Sequence, residues 1–410
     1  MVMIPWDFQL DLAKRASLLL SKYKLAYLAM EERTGKSITG LLAIEQFTDI
    51  KRVLIITKKK AIEGWRETLA ECEGLTKTYM VINYNSLHKV KFVADIVILD
   101  EAHKYVSSYP KKSATWTMTK AHCLNKPLIY MSATPYAQGL QLLYHQLALS
   151  SYSPWNKYQN FYTWYRDYAL RDANGNTETI WINGRAIETY KRVDYNKTMP
   201  SVQHLFIVKK RTELGFTQEP EDIIHNIVLS DKTKQAYNTL LKNKVLEFSI
   251  TGNDRYTLIA DTILKLRTAL HMLEGGVLKI DSEYLILNIA DKVDYILSTW
   301  GDTNDMVIMY QYIAEGNKLR KTFTKALILQ STSYAEGIDL SHKKHLIVYS
   351  QNFSTADYIQ RRARQANKNR DTAIKVHFLI VKNAISAQVY KSVSVNKINY
   401  TDKLFEALTI

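Results

Sequence analysis

Short apolar runs recur through the first third of the chain at intervals that leave few choices of fold. They are LAYLAM (25–30), RVLIIT (52–57), YMVIN (79–83), DIVILD (95–100) and PLIYMSAT (127–134). The segments between them, such as Gly35 to Phe47 and Ala61 to Leu69, repeat apolar residues every three to four positions, the helical period. Strands that are apolar on both faces and separated by helices require a parallel sheet covered on each side. Residues 1–150 are therefore expected to form one α/β domain. A second set of runs, MVIMY (306–310), ALILQ (326–330), HLIVYS (345–350) and IKVHFLIV (374–381), predicts another sheet within residues 223–410, after a stretch from Ile223 to about Trp300 that reads as helical. Between the two, residues 151–222 begin with Tyr152, Trp155, Tyr158, Phe161, Tyr162, Trp164, Tyr165 and Tyr168. Such rings suit either a base-stacking or partner face, or a small helical insertion packed on the main body. With 410 residues, 46% of them apolar, the chain has the material for two or three cored domains.

A formal net charge of +15 points to a polyanionic partner or an acidic membrane surface, against the plainer alternative of a generally basic soluble protein. Cys72 and Cys123 are far apart with no CxxC, which argues against a disulfide framework or a structural zinc site within one chain. A reducing cytoplasm is the expected setting. Asp7, Asp11, Lys14 and Arg15 break any signal-peptide core, and no apolar run approaches the roughly eighteen residues that span a bilayer.

Three short motifs carry chemistry. After LAYLAM comes Glu31-Glu32-Arg33-Thr34-Gly35-Lys36-Ser37 and then a helix. A loop opening a helix presents unpaired backbone N–H groups to an anion. Gly35 lets the backbone approach a phosphate, Lys36 reaches the β and γ phosphates, and the Ser37 hydroxyl ligates Mg²⁺. Met30 stands where the full GxxxxGK[ST] pattern has its first glycine. Further on, the strand Ile96 to Leu99 ends in Asp100, Glu101, Ala102 and His103, which sets two carboxylates at the C-terminal edge of a sheet, where α/β ligand sites lie. Asp100 is assigned to the metal and Glu101 to the attacking water. The next strand ends in Ser132, Ala133, Thr134 and Pro135, whose hydroxyls can bond back to His103 and report nucleotide state.

In this order the motifs resemble those of the superfamily-2 helicase and translocase motor, and in finer detail the Swi/Snf-like (DEAH-box) translocases of double-stranded DNA, especially compact bacteriophage-encoded members. Motif I is Gly35 to Ser37, motif II Asp100 to His103, and motif III Ser132 to Thr134. IITKKKAIEGWRETL (55–69), with Trp65, looks like motif Ia and NYNSLHK (83–89) like motif Ib. FIVKKR (206–211) resembles the segment that crosses between lobes, Lys292 sits where those proteins carry a lysine before the second lobe, STSYAEGIDL (331–340) looks like motif V, and IQRRARQ (359–365) like motif VI.

The resemblance implies an α/β fold of two RecA-like parallel-sheet lobes with a helical, aromatic-rich insertion between them, an ATP site in the cleft between lobes, and ATP with Mg²⁺ as cofactors. It implies DNA as the partner, with duplex favoured and sequence little read, and places a phage-encoded chain in the host cytoplasm. It adds Thr34 and Arg361 to the ATP contacts, assigns Gln9 in PWDFQLD to adenine, against the alternative of a solvent-facing helix glutamine, and gives Gly337 and Asp339 a coupling role. Gln360 and Arg364 keep the spacing of QxxGR, with Ala363 in place of glycine, and Arg364 becomes the arginine finger. The alternative for Arg361, Arg362 and Arg364 is a solvated basic face. Lys58, Lys59, Lys60, Asn83 and Tyr84 are the candidate DNA contacts.

Two departures stand out. Asn367 replaces a second motif VI arginine, leaving Arg361 or Arg370 as substitutes, and Gly316 to Lys325 is short, which predicts a reduced second lobe. The rival functions are a strand-separating or branch-migrating helicase, a degenerate motor acting as an ATP-gated DNA clamp, and an RNA-directed member.

Overall fold

The computed structural model describes residues 4–136, 139–182, 184–216, 218–331, 340, 342–365, 373–397 and 399–409. Gly337, Asp339, Asn367 and Arg370 lie outside the described residues. The chain divides into two compact units, Met1–Gly215 and Phe216–Ile410.

The first unit runs α1 (Asp7–Tyr23), β1 (Leu25–Met30), α2 (Lys36–Glu45), β2 (Arg52–Thr57), α3 (Ile62–Glu71), β3 (Thr78–Asn83), β4 (Ile96–Asp100), α4 (Ala102–Tyr105), α5 (Ala114–Cys123), β5 (Leu128–Met131), α6 (Leu142–Leu147), α7 (Phe161–Tyr168), β6 (Thr179–Ile182), β7 (Arg185–Glu188), α8 (Tyr195–Val202) and β8 (Phe206–Lys209). Its sheet has the order β3-β2-β4-β5-β1-β8, and every neighbouring pair is parallel. All six strands therefore end at the same edge. Burial follows the sequence pattern: β1 is buried at every residue and β4 at all but Asp100, whereas the edge strand β3 is only half-buried. Helix α1 turns Leu12, Ala13, Ala16 and Leu20 inward and stops at Lys24, whose left-handed conformation (φ 61°) reverses the chain into β1. Helix α2 lies close on the sheet because residue 40 is glycine, where a Cβ would stand 2.1 Å from Met131 Cε.

The aromatic segment belongs to this unit. Trp155, Phe161, Trp164 and Tyr165 are buried in the same core as Tyr27, Leu99 and Tyr130. Their rings contact one another and Tyr144 at centroid distances from 5.0 to 6.4 Å. For these four rings packing is the reading realised, whereas Tyr152 and Tyr162 stay 42% exposed. The hairpin β6–β7 extends from this segment with Trp181 largely exposed.

The second unit runs β9 (Pro220–Ile227), α9 (Asp231–Asn243), β10 (Val245–Phe248), β11 (Tyr256–Ile259), α10 (Ile263–Glu274), β12 (Val277–Ile280), β13 (Glu283–Ile286), α11 (Asp291–Trp300), β14 (Met306–Tyr310), α12 (Ile313–Thr322), β15 (Leu327–Gln330), β16 (His345–Val348), a helix Thr355–Arg362, β17 (Ile374–Val381), and helices Ile385–Tyr390 and Asp402–Thr409. The sheet order is β15-β14-β16-β17-β9, again all parallel. Two RecA-like parallel-sheet lobes, the expected fold class, are thus present.

The stretch read as helical from Ile223 to Trp300 needs correction. It holds three helices, but it opens inside β9 and contains the antiparallel hairpins β10–β11 and β12–β13. Strand β9 is fixed by Asp222, which accepts from the Tyr358 and Tyr390 hydroxyls at 2.5 and 2.6 Å and from Arg362 Nε at 2.6 Å. Lys292 is buried, and its ammonium donates to the Tyr349 carbonyl at 2.8 Å with the Glu274 carboxylate 4.0 Å away. Among the described residues no helix is long and apolar enough to cross a membrane.

Candidate functional site

The shared strand edge of the first unit gathers most of the residues singled out from the sequence. From Met30 the chain turns through Arg33 (φ 66°) and Gly35 (φ 76°), both left-handed, before α2 begins at Lys36. The left-handed backbone favours glycine at 35, and a Cβ there would also displace Gln9 Nε2, 1.8 Å away. Gln9 is 2% exposed and its Oε1 accepts from the Trp6 N–H at 2.8 Å. The solvent-facing alternative for Gln9 is therefore excluded: it braces the loop glycine. Thr34 is fully buried and donates from Oγ1 to the Glu31 carbonyl at 2.7 Å. Lys36 folds over the loop and its Nζ donates to the Met30 and Glu31 carbonyls, both at 2.9 Å. Ser37 is half-buried in the first turn of α2.

Asp100 ends β4, two strands away from β1. Its Oδ2 accepts from Thr57 Oγ1 at 2.7 Å and Trp65 Nε1 at 3.1 Å, and its carbonyl accepts from the Tyr84 hydroxyl at 2.9 Å. Two donors on one oxygen orient the carboxylate and leave Oδ1 turned to another role, the arrangement by which outer partners aim a metal ligand. Burial pushes the Asp100 pKa up and the Glu101 charge adds to this, while Thr57, Trp65 and Lys58 oppose it. A divalent cation beside the carboxylate would reverse that balance. Among the described residues no group of three or more His, Cys, Asp or Glu is arranged to hold a metal. Mg²⁺ suits such a place because it keeps waters and takes phosphate oxygens, needing few protein ligands.

Glu101 sits at φ 53°, a left-handed conformation that costs a non-glycine residue about 1–3 kcal/mol and clusters at functional turns. Its N–H donates to the Met131 carbonyl at 2.8 Å. Beside it, His103 Nδ1 lies 3.3 Å from Glu101 Oε2 and 2.8 Å from Ser132 Oγ, and His103 Nε2 lies 3.4 Å from Thr134 Oγ1. The Thr134 N–H donates to Ser132 Oγ at 3.0 Å. The register that pairs Asp100 with Met131 brings these groups together across neighbouring strands.

The candidate DNA contacts fare unequally. Lys59 and Lys60 are exposed on a turn after β2, and Lys58 is half-buried there. Asn83 is half-buried. Tyr84 is corrected: it is 1% exposed, stacks on Tyr105 at 4.4 Å and supports the Asp100 carbonyl, so its ring is not offered to a base.

In the second unit Gln360 and Arg364 are buried and Arg361 is fully so, with its pKa pushed down to about 10 by burial against the opposing charge of Asp357. Arg362 pairs with Asp222. A solvated basic face is therefore excluded for this cluster.

Two contributions escaped sequence reasoning. Thr57 ends β2 directly beside the end of β4, and a hydroxyl closing an otherwise apolar strand next to one ending in an acid is the signal that would have found it. Arg211, two residues past β8, donates its N–H to Glu31 Oε2 at 2.8 Å, and its guanidinium lies 3.8 Å from Glu31 and 4.0 Å from Glu32. Nothing local in the sequence signals that contact.

The Trp65 bond leads to a test. Trp65→Phe keeps an aromatic ring, though a smaller one, and removes one donor that lowers the Asp100 pKa, so that pKa rises further and the carboxylate is lost at higher pH. The acid limb of the pH profile of any hydrolysis at this site should move upward while the alkaline limb stays. An unmoved acid limb would remove Trp65 from the positioning of Asp100.

No protein-family model and no curated protein matches the chain. Solved structures similar to it include the Sulfolobus solfataricus SWI2/SNF2 ATPase core in complex with dsDNA, at 11% identity and a TM-score of 0.44, covering 100% of this chain and 95% of that one. The Sulfolobus solfataricus SWI2/SNF2 ATPase core domain matches at 11% identity and a TM-score of 0.42, covering 98% of this chain and 93% of that one.

Proposed function

We propose that the chain is an ATP-dependent motor that couples hydrolysis to movement along DNA, with duplex DNA as its track. The observation that carries this reading is the meeting, at one edge of one parallel sheet, of the Gly35–Ser37 loop, the Asp100–Glu101 pair and the His103–Ser132–Thr134 hydrogen bonds.

The chemistry follows from these groups. Lys36 exchanges two loop carbonyls for phosphate oxygens, and the N–H groups at the start of α2 take the remaining charge. Ser37 and Asp100 would hold Mg²⁺, which would supply charge neutralisation at the phosphates. Glu101 orients a water and accepts its proton as the oxygen attacks the γ-phosphorus and the bond to ADP breaks. Protonation of Glu101 removes the negative charge 3.3 Å from His103 Nδ1, and the hydroxyls of Ser132 and Thr134 feel that change through the same ring. Lys58, Lys59 and Lys60 grip the nucleic-acid backbone, for which the net charge of +15 leaves ample surplus.

The test is ATPase activity with duplex, single-stranded and branched DNA and with RNA, each over a range of salt. Duplex DNA should stimulate most. Each phosphate neutralised should contribute about 0.9 to the slope of log affinity against log salt. Equal rates with and without nucleic acid would defeat the motor reading, and stimulation by RNA alone would reassign the track.

A further inference from the structure

The first unit holds a second feature that this chemistry does not use. A cavity of about 410 Å³ opens between the start of α5, the end of α6 and the segment leading into α7. Its volume lies within the range of small-ligand pockets, roughly 300–1,000 Å³. It is separate in sequence from both the Gly35–Ser37 loop and the Asp100–Glu101 pair.

Its charge is one-sided. Lys112 and Lys120 both approach the Trp116 indole, with ammonium nitrogens 5.4 and 4.9 Å from the ring centre, and Lys111 adds a third cation to the lining. Among the described residues no aspartate or glutamate lines the cavity. Asp167, outside the lining, accepts from the Tyr158 hydroxyl at 2.9 Å. Lys120 also donates to the Ala148 carbonyl at 2.8 Å, a neutral partner that leaves its charge uncompensated. Burial pushes the Lys120 pKa down and the Lys112 charge adds to that. His145, in the same wall, bonds to the Ser108 carbonyl, and burial pushes its pKa down to about 4, so it adds no charge at neutral pH. Two ammonium groups on one ring without a carboxylate repel each other, and an anion bound by either relieves the repulsion.

The rest of the lining is of a different character. Tyr162 is 42% exposed, unlike the buried rings behind it, and Tyr158 is half-buried. Asn156 and Gln159 supply amide donors and acceptors. Ring faces beside amides match a nucleobase, whose π-face stacks and whose edge hydrogen-bonds.

We propose that this cavity binds a nucleotide, with its phosphate held by the lysines of the lining and its base against Tyr162 and the neighbouring amides. Two sources share that chemistry, a free mononucleotide and a nucleotide unit of a single strand.

The experiment is calorimetric titration of the full chain carrying Lys36→Ala, which removes the loop ammonium from competition. The probes are thymidine monophosphate, thymidine, inorganic phosphate and a 5′-phosphorylated thymidine trinucleotide. Thymidine monophosphate should bind saturably, with thymidine and phosphate each weaker by about tenfold or more. Adding Lys112→Ala or Tyr162→Ala, both at exposed positions that leave the core intact, should weaken it by about tenfold. Tighter binding of the trinucleotide assigns the site to a nucleic-acid strand, and equal binding assigns it to the free nucleotide. The proposal is overturned if no probe binds saturably, if phosphate alone binds as well as the monophosphate, or if variants melting like the parent also bind like it.

Discussion

Glu101→Gln should slow ATP hydrolysis by about 10²- to 10⁴-fold, the range ascribed to a positioned general base, while leaving ATP bound. The substitution is nearly isosteric, and an amide oxygen can still accept from His103, so the local hydrogen bonds survive. What is lost is a group able to take a proton from water. The backbone at 101 is already held left-handed between β4 and α4, and glutamine meets the same conformational cost as glutamate, so stability should change little. Single-turnover phosphate release, read beside the affinity for a fluorescent ATP analogue, separates the two effects. Turnover at the parental rate would sink the assignment of Glu101 as base, and loss of analogue binding would move its role to the ground state.

Lys36→Ala should fail earlier, at binding as well as chemistry. Loss of a single well-placed donor to a developing oxyanion costs about 10²–10³-fold in rate, and here a full charge goes with it. The alanine also strips the donor from the Met30 and Glu31 carbonyls, at about 1 kcal/mol for a typical hydrogen bond, so the loop loosens slightly while the fold stands. Lys36→Arg should not rescue, because a planar guanidinium cannot replace a compact ammonium that must sit between two backbone oxygens. The measurements are ATPase rate, analogue affinity and melting temperature for all three proteins. An alanine variant that still hydrolyses ATP at the parental rate would take Lys36 out of the mechanism.

How far the sequence could be read depended on whether a residue's partners were near in the chain or announced by pattern. Strands β1, β2, β4 and β5 were legible because they are buried in the centre of a sheet and so run apolar without interruption. The contact of His103 with Ser132 and Thr134 was legible because motifs ending neighbouring strands must meet at one edge. Strand β9 was not: Glu221, Asp222, His225 and Asn226 interrupt its apolar residues, since an edge strand buries only part of itself and Asp222 serves as an anchor for Arg362 and two tyrosines. The hairpins β10–β11 and β12–β13 are four residues per strand, too short for alternation to stand out from the helices around them. Tyr84 misled for another reason: the likeness of NYNSLHK to motif Ib put it on a DNA face, yet the ring turns inward onto Tyr105.

The clasp between Arg211 and Glu31 bears on the order in which the molecule is made. The two residues are 180 positions apart, and β8, which closes the sheet beside β1, belongs to the same late segment. Closing a loop of that length is slow compared with local pairing, and a chain leaving the ribosome offers its early segments first. Strands β1 to β5 can be synthesised well before their outer neighbour exists, leaving β1 with an unpaired edge and Glu31 and Glu32 without their cation. A fragment cut near residue 150 would keep both defects permanently, and an uncovered strand edge is a template for association with other chains.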